Sequence, residues 1–432
     1  MRYALVNPRW DFSGSIYFGC REPHLPLEYG YAKALLEAAG HDAVIIDCHA
    51  EGLTENEMIE AVEGFRPGMT VVPTAPTYLF WRCPPPELKH ARRTVEALKG
   101  RGGIITVIGP HGSTTPVAVL KKLGADIVVM GECEEALLKL AGRKMTDLKG
   151  VPSVCYREDN SIHIQGSPHE SDMALLPPLS WTTDSIRRHP HHHHRFDGKV
   201  SGFGAEMEAS RGCPYSCSFC ARNDFRNAYR KRPAATVLKE LDNLMESGAG
   251  YVYFADEIFL PDKKLLEALS TREIRFGIQT RIDLWDEEPL RLLGKAGCVS
   301  IEAGVESVSV EGRAHLNKNC RASTEEIERL LVFAREHVPF VQATLLDSGI
   351  DCREEVERWR ERLLRRGVWS NEPVPLFPYP GSEEYRRRWG LPDGSAWERA
   401  HDFYLNAYSA FSDIQEQRPL KINELERLNE ER

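Results

Sequence analysis

Ser210-Arg211-Gly212-Cys213-Pro214-Tyr215-Ser216-Cys217-Ser218-Phe219-Cys220 sets three cysteines within eight residues. A cubane 4Fe–4S cluster has four irons, each served by a soft thiolate. Cys213, Cys217 and Cys220 can cap three irons from one loop and leave the fourth open. An open iron can bind a substrate or cosubstrate directly, which a pure electron carrier does not need. The competing readings are a zinc knuckle and a chance group of core thiols. Zinc calls for a fourth Cys or His at comparable spacing. Arg211 and Asp224 cannot serve, and His194 and Cys298 are distant in the chain.

Strand and helix patterns alternate after this loop. Glu206-Met207-Glu208-Ala209 leads into it, and Val237, Leu238, Leu241, Leu244 and Met245 follow at helical spacing. Apolar runs at Tyr251 to Phe254, Arg275 to Thr280, Cys298 to Glu302, Phe340 to Leu346 and Pro373 to Phe377 read as strands. About six βα units predict a partial (β/α)6 barrel over residues 201–392, with its chemistry at the carboxyl ends of the strands. Polar groups recur at those ends: Asp256 and Glu257, Gln279 and Arg281, Glu302 and Glu306. Residues 393–432 are charged and predicted to be helical.

Upstream, residues 1–145 carry apolar runs at Tyr3 to Val6, Ala43 to Ile46, Met69 to Val72, Ile104 to Ile108 and Ile127 to Met130. Helical stretches lie between them, including Leu27, Tyr31, Ala34, Leu35 and Ala38 on one face. Five strands with helical crossovers predict an α/β, flavodoxin-like, doubly wound parallel sheet. Residues 146–200 hold Pro168, Pro177-Pro178 and the run His191 to His194, and are read as a linker.

The bulk composition narrows the function classes. The chain has 432 residues and a formal net charge of −9, so no basic excess points to nucleic acid. No window approaches the ~18 apolar residues that a membrane span needs. The first residues, Met1 to Pro8, are interrupted too early for a signal peptide. Eleven cysteines, an odd number, argue against a disulfide framework. The expectation is a cytoplasmic protein with reduced thiols, no nucleic-acid partner and no membrane partner.

Cys213-x-x-x-Cys217-x-x-Cys220 after a first barrel strand resembles the signature of the radical S-adenosylmethionine (SAM) superfamily. The resemblance covers roughly residues 200–390. It implies that the open iron chelates SAM and that one electron cleaves a carbon–sulfur bond of the sulfonium. It also implies a SAM site at Phe219 beside the adenine, Asp256 and Glu257 near the methionine amino group, Gln279 and Arg281, and Glu302 and Glu306 near the ribose. Pro378-Tyr379-Pro380-Gly381-Ser382 resembles the turn at the family's sixth strand.

A flavodoxin-like domain ahead of such a barrel resembles the cobalamin (B12)-binding class of that superfamily. The loops after the fourth and fifth strands resemble those beside the corrin. The resemblance implies contacts there at His111, Gly112, Ser113, Thr114, Gly131 and Glu132, and at Tyr78 after the third strand. Asp47-Cys48-His49-Ala50-Glu51-Gly52 matches a DxHxxG cobalt-ligand pattern, but follows the second strand instead of the first. His49 is therefore not assigned to cobalt, and cobalamin itself stays open.

The leading expectation is transfer of a SAM-derived carbon group, methyl if cobalamin is bound, to an unreactive small-molecule acceptor. An external one-electron reductant of flavodoxin or ferredoxin type would be required. A second expectation is 3-amino-3-carboxypropyl transfer to trivalent arsenic, from a resemblance of the whole chain to radical SAM proteins of organoarsenical (arsinothricin) biosynthesis. Cys298, Cys320 and Cys352 would suit a thiophilic acceptor, with buried core cysteine as the plain alternative. A non-catalytic cobalamin or redox sensor is a third expectation, disfavoured because a sensor need not keep an open iron. Anaerobic reconstitution should load about four irons per chain. Alanine at Cys213, Cys217 or Cys220 should remove both the cluster's visible absorption and SAM cleavage, and a full cluster in the triple variant would rule the ligand set out.

Overall fold

The computed structural model describes residues 1–432 apart from 17–21, 80–82, 160, 190–201, 408–418 and 428–432. The His191–His194 run lies outside the described residues. Two compact units emerge. The first comprises Met1–Leu179, Cys220–Asn227 and Phe377–Arg432, and the second Ser180–Phe219 and Ala228–Leu376.

In the first unit, the five predicted strands form as β1 (Arg2–Asn7), β2 (Asp42–Asp47), β3 (Met69–Pro73), β4 (Ile104–Ile108) and β5 (Ile127–Val129). They pair in parallel in the order β2-β1-β3-β4-β5, the flavodoxin-like arrangement. Alternation along β1 explains the two helix layers. Tyr3 and Leu5 face a core shared with Tyr29 and Leu36 of helix Leu27–Ala38 and with Leu137 and Leu140. Ala4 and Val6 face the opposite core, with Val62, Val95 and Leu120 from three other helices.

The stretch 146–200 contributes more than a passage. β6 (Val154–Glu158) and β7 (Ser161–Gln165) form an antiparallel hairpin that extends this sheet beyond β5. Val154, Cys155 and Tyr156 are all buried. The turn residues and prolines around them obscured a strand pair only five residues long on each side.

The carboxyl-terminal residues belong to this first unit as well. Lys122 Nζ meets Glu398 at 2.7 Å and Glu426 at 2.6 Å, and Leu88 N donates to Glu426 Oε1 at 2.7 Å. Trp397, on helix Ala396–Ala407, packs against the His111 ring at 4.0 Å. The segment Cys220–Asn227 is held by a buried charge. Arg226 has no exposed surface and pairs with Glu28 at 2.7 Å and with Glu132 at 3.9 Å, while Phe225 enters the β1 core.

The second unit begins with β8 (Phe203–Met207) and the short antiparallel ribbon of β9 (Ser210–Arg211) and β10 (Arg230–Lys231). β11 (Ala249–Phe254), β12 (Arg275–Thr280), β13 (Cys298–Glu306), β14 (Phe340–Leu345) and β15 (Trp369–Ser370) follow. The order is β15-β14-β13-β12-β11-β8, with every neighbouring pair parallel. Six parallel strands with helical crossovers make the partial (β/α)6 barrel.

One strand departs from expectation. The sixth is Trp369–Ser370, not Pro373 to Phe377. Pro373 and Pro375 have no N–H to give a ladder, so only Val374 bridges to Leu346. There Val374 N donates to Leu345 O at 3.1 Å and Asp347 N donates to Val374 O at 2.8 Å. Among the described residues no helix is long and apolar enough to cross a membrane.

Breaking a fully buried ion pair from one side costs about 3–5 kcal/mol, because the remaining charge loses its partner. Arg226→Ala should therefore lower the thermal unfolding midpoint of the chain markedly, followed by circular dichroism. A midpoint equal to that of the unmodified protein would show that Glu28 and Glu132 do not depend on Arg226.

Candidate functional site

The β9–β10 ribbon closes the base of the cysteine loop. Gly212 opens the loop with φ of +76°, and a Cβ there would lie 1.9 Å from Ala228 O. Only glycine fits so close an approach in a left-handed conformation. Gly212 N donates to Glu257 Oε2 at 2.8 Å. Further along, Ser218 N donates to Leu316 O at 2.9 Å, and Asn317 Nδ2 donates to Ser216 O at 2.7 Å. The loop is thus tied to the end of β11 and to the residues after β13.

Cys213, Cys217 and Cys220 form no disulfide and are partly exposed, unlike the buried thiols Cys48, Cys133, Cys155 and Cys298. This separates the trio from core cysteines. Burial pushes the Cys217 thiol up, while Lys318 and Arg281 pull it down. Ser218 Oγ is buried without a hydrogen-bond partner in the loop. Three accessible thiols beside an unused hydroxyl fit a group that needs soft ligands and offers acceptor atoms. Among the described residues no three His, Cys, Asp or Glu side chains converge on one metal ion. A cubane spreads three thiolates over three irons and does not need that convergence.

The inner face of the second sheet builds the rest. On β13, Ile301, Ala303 and Val305 are buried, while Glu302, Gly304 and Glu306 alternate with them and are half-buried. Glu302 stands in register between Gln279 of β12 and Gln342 of β14, giving a polar row across three strands. Below it, Tyr251 reaches over Gly277, where any Cβ would lie 2.2 Å from the phenol oxygen. Glu306 ends β13 with φ of +67°, a conformation that costs a non-glycine residue about 1–3 kcal/mol.

Not every expected SAM residue points into open space. Asp256 is fully buried, accepting from Ala209 N at 2.9 Å and from Ser210 Oγ. Burial pushes its carboxyl up to about 8. Arg281 is also engaged. It donates to both Asp283 carboxylate oxygens at 3.1 and 2.6 Å and to Lys318 O at 2.6 Å, and its guanidinium lies 4.1 Å from the Tyr215 ring centre. Phe219, Gln279, Glu302 and Glu306 are half-buried. Gln342, Lys318, Asp283 and Tyr215 were not expected. The alternation Val341-Gln342-Ala343-Thr344-Leu345 was the one available sign of Gln342.

The three other candidate thiols are apart in character. Cys298 is buried and donates to Ser300 O at 3.4 Å, Cys320 is half-buried beside Asp283, and Cys352 is exposed and donates to Glu354 at 2.8 Å.

In the first unit a small cleft lies at the carboxyl ends of β1 to β3, lined by Asn7, Trp10, His24, His49, Thr77 and Tyr78 among others. Tyr78 stacks on His24 at 3.6 Å. His49 Nδ1 accepts from Trp10 N at 3.3 Å, and Trp10 Nε1 donates to Asn7 Oδ1 at 2.9 Å. His49 therefore shares the cleft with Tyr78, which its position after the second strand did not suggest.

The loops after β4 and β5 are instead packed inward. His111 is buried, with Nδ1 3.2 Å from Thr74 Oγ1, and burial pushes its imidazole down to about 3. Gly112 faces Val128, and Ser113 Oγ accepts from Gly131 N at 2.8 Å. A Cβ on Gly131 would meet the His169 backbone at 2.2 Å. Glu132 is buried and accepts from Ser171 N at 2.8 Å, and Thr114 is half-buried.

Comparison with known proteins bears on both units. Residues 207–359 match the model of the Radical SAM superfamily, and residues 21–141 match that of the B12 binding domain. The chain is similar to an uncharacterized methyltransferase of Pyrococcus horikoshii, 24% identical over 88% of this chain and 82% of the relative. It is 28% identical to the anaerobic magnesium-protoporphyrin IX monomethyl ester cyclase of Rubrivivax gelatinosus, over 89% of this chain and 70% of that one. Among solved structures, it resembles the radical SAM methyltransferase TsrM of Kitasatospora setae with tryptophan substrate and the SAM analogue aza-SAM bound. The TM-score is 0.70 at 18% identity, covering 90% of this chain and 76% of that one. The cobalamin-dependent radical SAM enzyme OxsB with aqua-cobalamin and SAM bound gives 0.69 at 17% identity, covering 94% and 67%. At these identities the structural likeness is one of fold.

Asp256 supplies a pH test. Its folded pKa, about 8, lies above the ordinary carboxylate value, so between about pH 4 and pH 8 the folded chain holds a proton that the unfolded chain releases. Its contribution to stability therefore falls as pH rises through that window. Asp256→Asn, which mimics the protonated acid, should flatten this fall in unfolding midpoints recorded from pH 5 to pH 8. An unchanged slope would show that Asp256 is ionised in the folded chain.

Proposed function

Because this chain is a radical SAM enzyme carrying an N-terminal B12-binding domain, we propose that it methylates an unreactive small-molecule acceptor in a cobalamin-dependent reaction. The observation that carries this reading is the loop itself, with three partly exposed thiols, Cys213, Cys217 and Cys220, and with ties to Glu257, Leu316 and Asn317. When bound, the cluster supplies the electron that splits a carbon–sulfur bond of SAM, and cobalamin carries the methyl group to the acceptor.

The chain's residues would bind and orient. The three thiolates hold three irons and leave one corner for SAM. Gln279, Glu302 and Gln342 offer amide and carboxylate groups in register for the hydroxyls and amine of SAM, and Phe219 offers an apolar surface to the adenine. Glu257, Arg281 and Asn317 brace the loop so that the thiolates need little reorganisation on loading. In the first unit, the cleft of Tyr78, His24 and His49 is where a corrin or its tail would rest. An external one-electron donor of flavodoxin or ferredoxin type, as found in the cytoplasm, would supply the electron. Methyl transfer is favoured by the methyltransferases among the similar proteins.

Anaerobic incubation with SAM, cobalamin and a low-potential reductant should yield 5′-deoxyadenosine and S-adenosylhomocysteine, measured by mass spectrometry. 5′-Methylthioadenosine in their place, formed without cobalamin, would replace methyl transfer by 3-amino-3-carboxypropyl transfer.

A further inference from the structure

We propose that Lys318 is a positioning residue whose buried ammonium sets the reduction potential of the cluster held by the cysteine loop, an inference that rests on the cluster reading above. Lys318 is 2% exposed, deep burial for a lysine. Its placement is enforced from both sides. Asn317 and Asn319 both adopt left-handed backbone, each with φ of 50°, so Lys318 sits in a tight double turn. Lys318 N donates to Arg313 O at 3.0 Å, and Lys318 O accepts from Arg281 Nη1 at 2.6 Å.

That turn is fastened to the cysteine loop on either side of one ligand. Ser216 O accepts from Asn317, and Ser218 N donates to Leu316, so the residues flanking Cys217 are bonded to the residues preceding Lys318. The Lys318 charge consequently keeps a fixed place relative to Cys217.

Lys318 Nζ meets Glu306 Oε1 at 3.1 Å. The pair packs over Gly304, where a Cβ would lie 2.4 Å from Glu306 Oε1 and 3.6 Å from Nζ. Glu306 keeps its left-handed backbone while making this contact. The other charges nearby pair with each other, Arg281 with Asp283 at 2.6 Å.

Reduction adds one electron to the cluster, taken from the external donor, and raises its negative charge by one. A buried cation stabilises that reduced form, since charge interactions are stronger away from water. Lys318→Met should lower the ratio of reduced to oxidised cluster at a fixed solution potential roughly tenfold, about 59 mV for one electron. Lys318→Arg should retain most of the original potential, and Glu306→Gln should shift it the opposite way.

The measurement is a mediated redox titration of the anaerobically reconstituted full chain without SAM or cobalamin, followed by electron paramagnetic resonance. Iron content is assayed in parallel. A Lys318→Met protein with full iron and unchanged potential would overturn the proposal. If that variant fails to hold iron, Glu306→Gln decides, and no upward shift there overturns it equally. Failure of the unmodified chain to load a cluster would instead remove the underlying cluster reading.

Discussion

A loop without strand or helix cannot hold its shape by its own hydrogen bonds, and the second unit supplies the partners that the cysteine loop lacks. The stretch from Gly212 to Cys220 contains no regular strand or helix. Three of its backbone atoms, Gly212 N, Ser218 N and Ser216 O, are satisfied from outside, by Glu257, Leu316 and Asn317 respectively. These partners are 45 and 101 residues away for Glu257 and Asn317. Both follow barrel strands, β11 and β13. The parallel sheet is what brings them to one loop, because parallel strands deliver their carboxyl ends to the same side.

Charge management follows from the same arrangement. An isolated charge in a protein interior is expensive, and pairing it with hydrogen bonds offsets the cost. Arg281 illustrates this, with its guanidinium shared among a carboxylate, a backbone carbonyl and the Tyr215 ring. Arg232 does the same below the loop, with Glu240 at 2.8 Å and the Glu208 carbonyl at 2.8 Å. Side chains so fully engaged are supports. Gln279, Glu302 and Gln342 differ from them in being half-buried and in register across β12, β13 and β14.

The first unit also spends polar side chains on internal support. Loops after β4 and β5 carry the small and polar residues expected beside a flat macrocycle, yet His111, Ser113 and Glu132 spend their polar atoms on internal partners. The cleft at β1 to β3 keeps Tyr78, His24 and His49 at its walls. Residues from far along the chain complete this unit: Trp397 covers His111, and Arg226 neutralises Glu28.

The amino-acid sequence by itself determined most of the architecture and the cysteine spacing. The spacing of Cys213, Cys217 and Cys220 is a local property, and so are the apolar runs that became β1 to β5 and the strands β11 to β14. It missed the hairpin of β6 and β7 because short strands among turn residues carry little periodicity. It misplaced β15 because an apolar run cut by Pro373 and Pro375 resembles a strand in hydrophobicity but cannot make its hydrogen bonds. Only the tertiary structure decided which polar residues brace the loop and which stand half-buried in the sheet. That distinction depends on partners brought together across the sheet, and no local pattern around Arg281, Asn317 or Lys318 records what lies opposite them in space.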